Sequence, residues 1–108
     1  MKKVLRRMLI PCEAGLYITR QDIARIGLAL ELPGVMGERF HMLKTLFELS
    51  AQYDLLPKLL QEIDELFGQV EKSYLGLEAE YPLWQIYGKA WRTRLRETRA
   101  ALDFDAAA

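Results

Sequence analysis

One pair of residues in this chain has the types and spacing of metal ligands. Glu38 and His41 stand three positions apart, which is the Glu-x-x-His spacing that supplies two ligands from one helical face in di-iron bundles. Such a site needs the pair twice and two further glutamates, so a second copy would have to complete it. His41 also falls on the polar face of its helix. The pattern therefore favours an exposed histidine, and we expect no metal or other cofactor.

The sequence lacks the other common catalytic arrangements. A serine hydrolase needs a serine, a histidine and a carboxylate together, and this chain offers only Ser50, Ser73 and a single histidine. Cys12 and His41 are too few for a zinc site within one chain. There is no phosphate-binding glycine loop or dinucleotide fingerprint, and the acidic cluster at 62–65 is predicted to face solvent. We therefore predict a protein that is not an enzyme.

Composition narrows the classes of partner. Of 108 residues, 51% are hydrophobic and 28% charged, which is typical of a globular chain. Fifteen basic residues balance fifteen acidic ones, and this neutrality argues against nucleic acid as a ligand. The lone Cys12 is compatible with a reducing compartment. The basic start precedes too short an apolar run for a secretion signal, and no segment is apolar enough for a membrane span. We predict a cytoplasmic protein without membrane contact.

Apolar periodicity predicts an all-α fold, specifically a small antiparallel bundle of about four helices in a single domain, 1–108. The expected helices lie at approximately 19–32, 36–53, 54–81 and 82–103. Residues 1–18 are expected to form a short helix or arm. The alternative for that segment is a hairpin of MLIPC with LYIT around Gly15.

Local signals predict where the helices begin and end. Thr19 and Asp22 have the spacing of a capping box, in which each side chain binds the other's backbone N–H. Pro33-Gly34 is expected to end that helix. Asp54 is expected as the N-cap of the helix at 54–81, and Pro82 suits the first turn of the last helix.

The helix at 54–81 is predicted to organise the fold. Its apolar residues alternate in steps of four and three, which is the seam of a helix packed along its length. Because this helix is longer than its neighbours, we expect one end of the seam to stay uncovered beside the aromatic residues of the last helix. The predicted partner-binding residues are Phe67, Val70, Tyr74, Leu77, Trp84, Tyr87, Trp91, Arg92 and Arg96.

The charges of the last two helices are opposite. Between Glu48 and Glu80 there are eight acidic residues against two lysines, whereas five basic residues oppose two acidic ones from Pro82 to Asp103. Two interpretations follow. Either the charges pair within the fold, or the arginines face outward and form the rim of a partner-binding surface.

These patterns predict an interaction module, such as an adaptor, an assembly factor or a small chaperone, that binds another protein or itself as a homodimer. The alternative is a helix-turn-helix DNA-binding regulator that uses residues 19–53. The segment LLPKLLQEIDELF, followed by a helix opening at EYPLW, resembles the helical maturation chaperones of molybdoenzymes, of the nitrate-reductase delta-subunit type. The resemblance covers about half of the chain, from Phe40 to Trp91, without that family's extra N-terminal helices. It implies a chaperone-like role.

Overall fold

A computed structural model of the protein describes residues 2–107, with side chains for residues 3–103. All regular secondary structure in that range is α-helical, which confirms the all-α prediction. The helices are α1 (Lys2–Leu9), α2 (Pro11–Ala14), α3 (Arg20–Ala29), α4 (Arg39–Gln52), α5 (Leu56–Glu80) and α6 (Trp84–Ala107). Helices α3 to α6 correspond to the four predicted helices, and α1 and α2 occupy the expected N-terminal arm. The hairpin alternative for that arm is wrong.

The chain divides into two compact units. One comprises Ile18–Ile63, with α3, α4 and the first part of α5. The other comprises Met1–Tyr17 and Asp64–Ala108, with α1, α2, the rest of α5 and α6. The single domain expected from the sequence stays a prediction. None of the helices in residues 2–107 combines the length and the hydropathy needed to cross a bilayer.

In the unit at 18–63, α3 packs against α4. The predicted capping box is confirmed, because the Asp22 N–H donates to Thr19 Oγ1 and the Thr19 N–H donates to Asp22 Oδ2, both at 3.0 Å. Helix α4 begins at Arg39, three residues later than predicted. Its N-cap is Glu38, whose carboxylate accepts the backbone N–H of His41 at 3.1 Å.

The start of α5 also differs from the prediction. Asp54 adopts a left-handed conformation with φ of 57°, so it lies in a turn and does not cap the helix. The Leu55 carbonyl accepts the first helical hydrogen bond, from Leu59 N–H at 2.9 Å. Leu55 is therefore the N-cap, and the turn, rather than a capping side chain, determines where α5 begins.

In the second unit, α1 and α2 both pack against α6. Val4, Leu5 and Met8 are buried, as an amphipathic α1 requires. Helix α2 ends at Gly15, whose φ is 89°, and a Cβ there would lie 2.5 Å from the Leu95 backbone nitrogen. Only glycine allows both this conformation and this close approach to α6.

Thr98 joins α1, α2 and α6 through one buried hydroxyl. Its Oγ1 accepts the Nε–H of Arg7 at 2.8 Å. The same oxygen lies 3.1 Å from the carbonyl of Ala14 and 2.9 Å from that of Arg94, and it donates to one of them at a time. Since Thr98 is completely buried, these bonds hold the N-terminal helices in a defined position on α6.

Candidate functional site

Ion pairs connect three acidic residues of α5 to three arginines of α6. Arg92 bonds Glu78, Arg96 bonds Glu71 at 3.1 Å, and Arg99 bonds Asp64 and also lies 3.6 Å from Glu71. The acidic partners are spaced seven residues apart, so they share one face of α5. As the residue number rises along α6 it falls along α5, and the two helices are therefore antiparallel here. The opposite charges predicted from the sequence pair within the fold.

The pairing changes the role expected for Arg92 and Arg96. Both were predicted to bind a partner at the rim of the surface. Instead Arg92 makes two bonds to Glu78, Nε to Oε2 at 2.7 Å and an Nη to Oε1 at 2.8 Å, and Arg96 is engaged with Glu71. These guanidinium groups neutralise carboxylates of their own chain, so we leave them out of the candidate surface.

Glu78 is the most buried of the three acidic partners. Its hydrogen bonds from Arg92 hold the pKa of its carboxyl below the usual range, even though desolvation acts in the opposite direction. A Cβ at Gly88 would lie 2.6 Å from Glu78 Cγ and Cδ. The missing side chain of Gly88 therefore makes the room in which the carboxylate meets Arg92.

An apolar pocket of about 320 Å³ opens beside this ion pair. Almost all of its exposed lining is carbon, and no charged side chain contributes to it. The lining residues come from α2, the segment after it, α5 and α6: Pro11, Tyr17, Tyr74, Leu77, Trp84, Gly88 and Trp91. A depression with this lining suits an apolar group and offers nothing to hold an ion.

A second depression of similar volume lies on the other side of two tryptophans. It is lined by Leu83 and Tyr87 together with Trp84 and Trp91, which also line the first pocket. The rings of Trp84 and Tyr87 meet edge to face with centroids 6.3 Å apart, and Arg94 lies over Trp91 at 5.6 Å. These contacts orient the rings. Trp84 and Trp91, which line both depressions, form a ridge between them.

The end of α5 and the start of α6 leave large apolar side chains in solvent. Leu83 is 87% exposed, Ile86 79% and Tyr87 63%. We call this surface the aromatic tip and define it as Leu77, Tyr81, Leu83, Trp84, Ile86 and Tyr87. Scattered exposed apolar residues are ordinary, but several large ones concentrated at one turn mark a candidate interaction site.

The structure brings only part of the predicted site together. Leu77, Trp84, Tyr87 and Trp91 line the two depressions. Phe67 is fully buried and so cannot reach a partner. Val70 is half-buried on α5, below the tip.

Tyr74 has a mixed role. Its side chain lines the pocket, but its hydroxyl donates to the carbonyl of Gly15 at 2.6 Å, and burial raises its pKa. The hydroxyl therefore serves the packing of α5 on the segment after α2. Substituting Tyr74 would disturb the fold as well as the pocket.

Sequence reasoning missed Leu83 and Ile86, the two most exposed residues of the tip. The last helix was predicted to begin at Pro82, which would place Leu83 inside it. Instead Pro82 and Leu83 lie in the turn, where Trp84 N–H donates to the Tyr81 carbonyl at 2.8 Å, and α6 begins at Trp84.

Glu38 and His41 form the N-terminal cap of α4. The Glu38 carboxylate is occupied by the His41 backbone N–H, and both residues are exposed at the start of α4. Within residues 2–107, no group of three or more His, Cys, Asp or Glu side chains converges as metal ligands would.

The spacing of α3 and α4 differs from that of a helix-turn-helix. Residues 30–38 separate them, whereas that motif uses a turn of about three or four residues. Gly27 packs closely on Val35, so this connection folds back against α3. The two helices form an αα-hairpin with a long connection.

Comparison with protein-family models, with curated proteins and with solved structures found no match to this chain. The resemblance to the maturation chaperones of molybdoenzymes therefore stays a prediction.

Proposed function

We propose that this chain is a non-enzymatic protein-interaction module whose aromatic tip binds an apolar surface of a partner protein. The observation that carries the proposal is the exposure of Leu83, Trp84 and Tyr87, which line one apolar depression next to a second that Trp84 also lines. A side chain of the partner would fill the pocket, and the tip would pack around it.

The chemistry of the surface favours apolar recognition. Trp and Tyr are the residues that most often dominate binding energy at interfaces, and the tip and its ridge contain both. Arg92, Arg96 and Arg99 are paired with carboxylates of α5, so they add little net charge. We therefore expect binding that depends mainly on buried apolar area and weakens little as the salt concentration rises.

Binding of this kind is compatible with an adaptor, an assembly factor or a small chaperone, because each works by covering an apolar surface of another chain. The proposal places this activity in the cytoplasm, where the exposed and unpaired Cys12 would remain reduced. We also propose that the helices form an antiparallel bundle, because a bundle would present the α5–α6 turn at one end.

Photo-crosslinking in the native host tests the proposal. A photoreactive amino acid replaces Tyr87 in one variant and Thr93 in the control. Both positions are exposed on α6, but only Tyr87 belongs to the aromatic tip. We expect a defined protein adduct from position 87 and none from position 93. The captured protein, once purified, should bind the wild-type chain saturably and should lose this binding with Tyr87→Glu.

Two results would contradict the proposal. One is equal crosslinking from positions 87 and 93, which would mean that the tip has no preferred partner. The other is a captured protein that binds Tyr87→Glu as tightly as the wild type. Melting of the variant monitored by circular dichroism serves as the folding control, because a substitution at an exposed site should change the stability by no more than about 0.5 kcal/mol.

A further inference from the structure

We infer that the aromatic tip is built to bind a second copy of this chain, with Leu83 of each copy inserted into the apolar pocket of the other. This inference rests on the proposed function, because it names one occupant for the same surface. Four observations support it.

The first is that a projecting group and a cavity lie side by side on one surface. Leu83 is the most exposed of the tip residues, and the pocket opens on the other side of the Trp84–Trp91 ridge. A two-fold dimer requires a self-complementary patch, since each copy contributes the same residues. With Trp84 near the two-fold axis, each Leu83 would point toward the pocket of the opposite copy.

The second observation is the match in polarity. Leu83 carries no polar atom in its side chain, and the pocket that would receive it has a lining almost entirely of carbon. The hydroxyl of Tyr74 is already bonded to Gly15, so filling the pocket leaves that donor satisfied. The pocket volume of about 320 Å³ has room for a leucine side chain and the edge of an aromatic neighbour.

The third observation is electrostatic. Two identical faces repel each other if they carry net charge. Here Arg92 and Arg96 are each neutralised by a carboxylate of their own chain. Glu80 and Lys89 are both exposed and have opposite signs. These groups therefore add no net charge to the face, and the positive charge beside the ridge comes from Arg94, over Trp91.

The fourth observation is the size of the surface. The four tip residues that line the two depressions, Leu77, Leu83, Trp84 and Tyr87, together expose on the order of 500 Å², so two copies would bury roughly 1,000 Å² in total. A contact of this size is at the small end of specific interfaces and suits a weak dimer.

A complementation experiment tests the inference with purified full-length chains. Leu83→Ser removes the inserted group and keeps the pocket, whereas Leu77→Trp fills the pocket and keeps Leu83. Sedimentation velocity should show a wild-type dimer at micromolar concentration. Each variant alone should dimerise at least about a hundredfold more weakly, because the substitution acts twice in a symmetric dimer.

An equimolar mixture of the two variants provides the decisive comparison. It regains one of the two insertions, Leu83 of one variant in the open pocket of the other, so a heterodimer should form more tightly than either homodimer. Leu28→Ser is the matched control, since Leu28 is 78% exposed in the other unit and its loss should leave dimerisation unchanged. If Leu77→Trp does not melt cooperatively, Leu77→Phe takes its place.

The outcomes separate this inference from the proposed function. A monomeric wild type, or variants that dimerise as the wild type does, would overturn the inference. If position 87 still crosslinks to a different protein, the proposed function stands without it. If the wild type is monomeric and no adduct forms, both fail. A dimer with complementation supports both.

Discussion

Glu78 and Arg92 form a two-bond ion pair, at 2.7 and 2.8 Å, directly below the aromatic tip. Their side chains are only 10% and 17% exposed, and among the ion pairs between α5 and α6 this one lies nearest the turn. Breaking it by removing one partner would leave a largely buried charge unpaired. The pair therefore holds the two helices in register where the candidate surface begins.

This ion pair predicts a specific dependence of stability on pH. Arg92 lowers the pKa of Glu78 in the folded chain, so its contribution is present above the carboxyl's usual pKa. That contribution is lost as the pH falls through the lowered, folded-state pKa. Glu78→Gln should lower the melting temperature at neutral pH, and its difference from wild type should shrink toward strongly acidic pH. Glu80→Gln, at an exposed carboxylate on the same helix, is the matched control. A difference that stays constant with pH would contradict this role.

The space at Gly88 makes a second prediction. Gly88→Ala would place a Cβ 2.6 Å from the Glu78 side chain, which Arg92 holds in place. We expect the overlap to destabilise the chain by about 1–3 kcal/mol. In the control, Gly76→Ala, the new Cβ meets nothing within 4 Å and should stabilise α5 by about 0.5–1 kcal/mol. Chemical denaturation measures both. Equal effects in the two variants would mean that Gly88 does not shape the ion pair.

The contact between α2 and α6 makes a third prediction. Gly15→Ala would strain a left-handed residue and push its Cβ to 2.6 Å from the Trp91 carbonyl oxygen. Because backbone cannot move aside as a side chain does, we expect a loss of more than about 3 kcal/mol. Gly34 has a similar φ of 80° but open space around it, so Gly34→Ala should cost only about 1–2 kcal/mol. Comparable losses of stability at both sites would show that the left-handed φ, rather than the close approach to α6, determines how far the substitution destabilises the chain.

The buried hydroxyl of Thr98 makes a fourth prediction. Thr98→Val keeps the shape but leaves Arg7 Nε–H without its acceptor, and we expect a cost of about 1–3 kcal/mol. Thr93→Val is the control, because the exposed Thr93 hydroxyl bonds the Lys89 carbonyl of its own helix. That variant should stay within about 0.5 kcal/mol of wild type. Urea titration of both variants measures the difference in their free energies of unfolding. A Thr98→Val variant as stable as Thr93→Val would show that the Thr98 hydroxyl has no structural role.

Features that depend on neighbouring residues could be predicted from the sequence. The Thr19–Asp22 capping box needs only two side chains three positions apart, and it forms as expected. The charges of the last two helices are also local patterns, and Arg96 and Arg99 find acidic residues on α5. Helix periodicity identified the aromatic residues of α6 that line the pocket.

Features that depend on a turn or on tertiary neighbours could not be predicted. Whether Leu83 faces the core depends on where α6 begins, and the backbone hydrogen bond from Trp84 to Tyr81 determines that. The periodicity of α5 treats Phe67 and Leu77 alike, although one is buried and the other exposed. How far packing extends along a helix depends on its neighbours, and a single helix sequence does not contain that information.

Oxidative footprinting tests most directly the central claim that a partner chain covers the aromatic tip. Hydroxyl radicals would label the chain in native cells and, separately, as a dilute purified protein. Tyr87 is 63% exposed and Tyr53, in the other unit, is 58% exposed, so the two tyrosines should react similarly in the dilute chain. We predict that in cells the oxidation of Tyr87 and Trp84 falls several-fold relative to Tyr53. An unchanged ratio of Tyr87 to Tyr53 oxidation would show that nothing covers the tip and would contradict the proposed function.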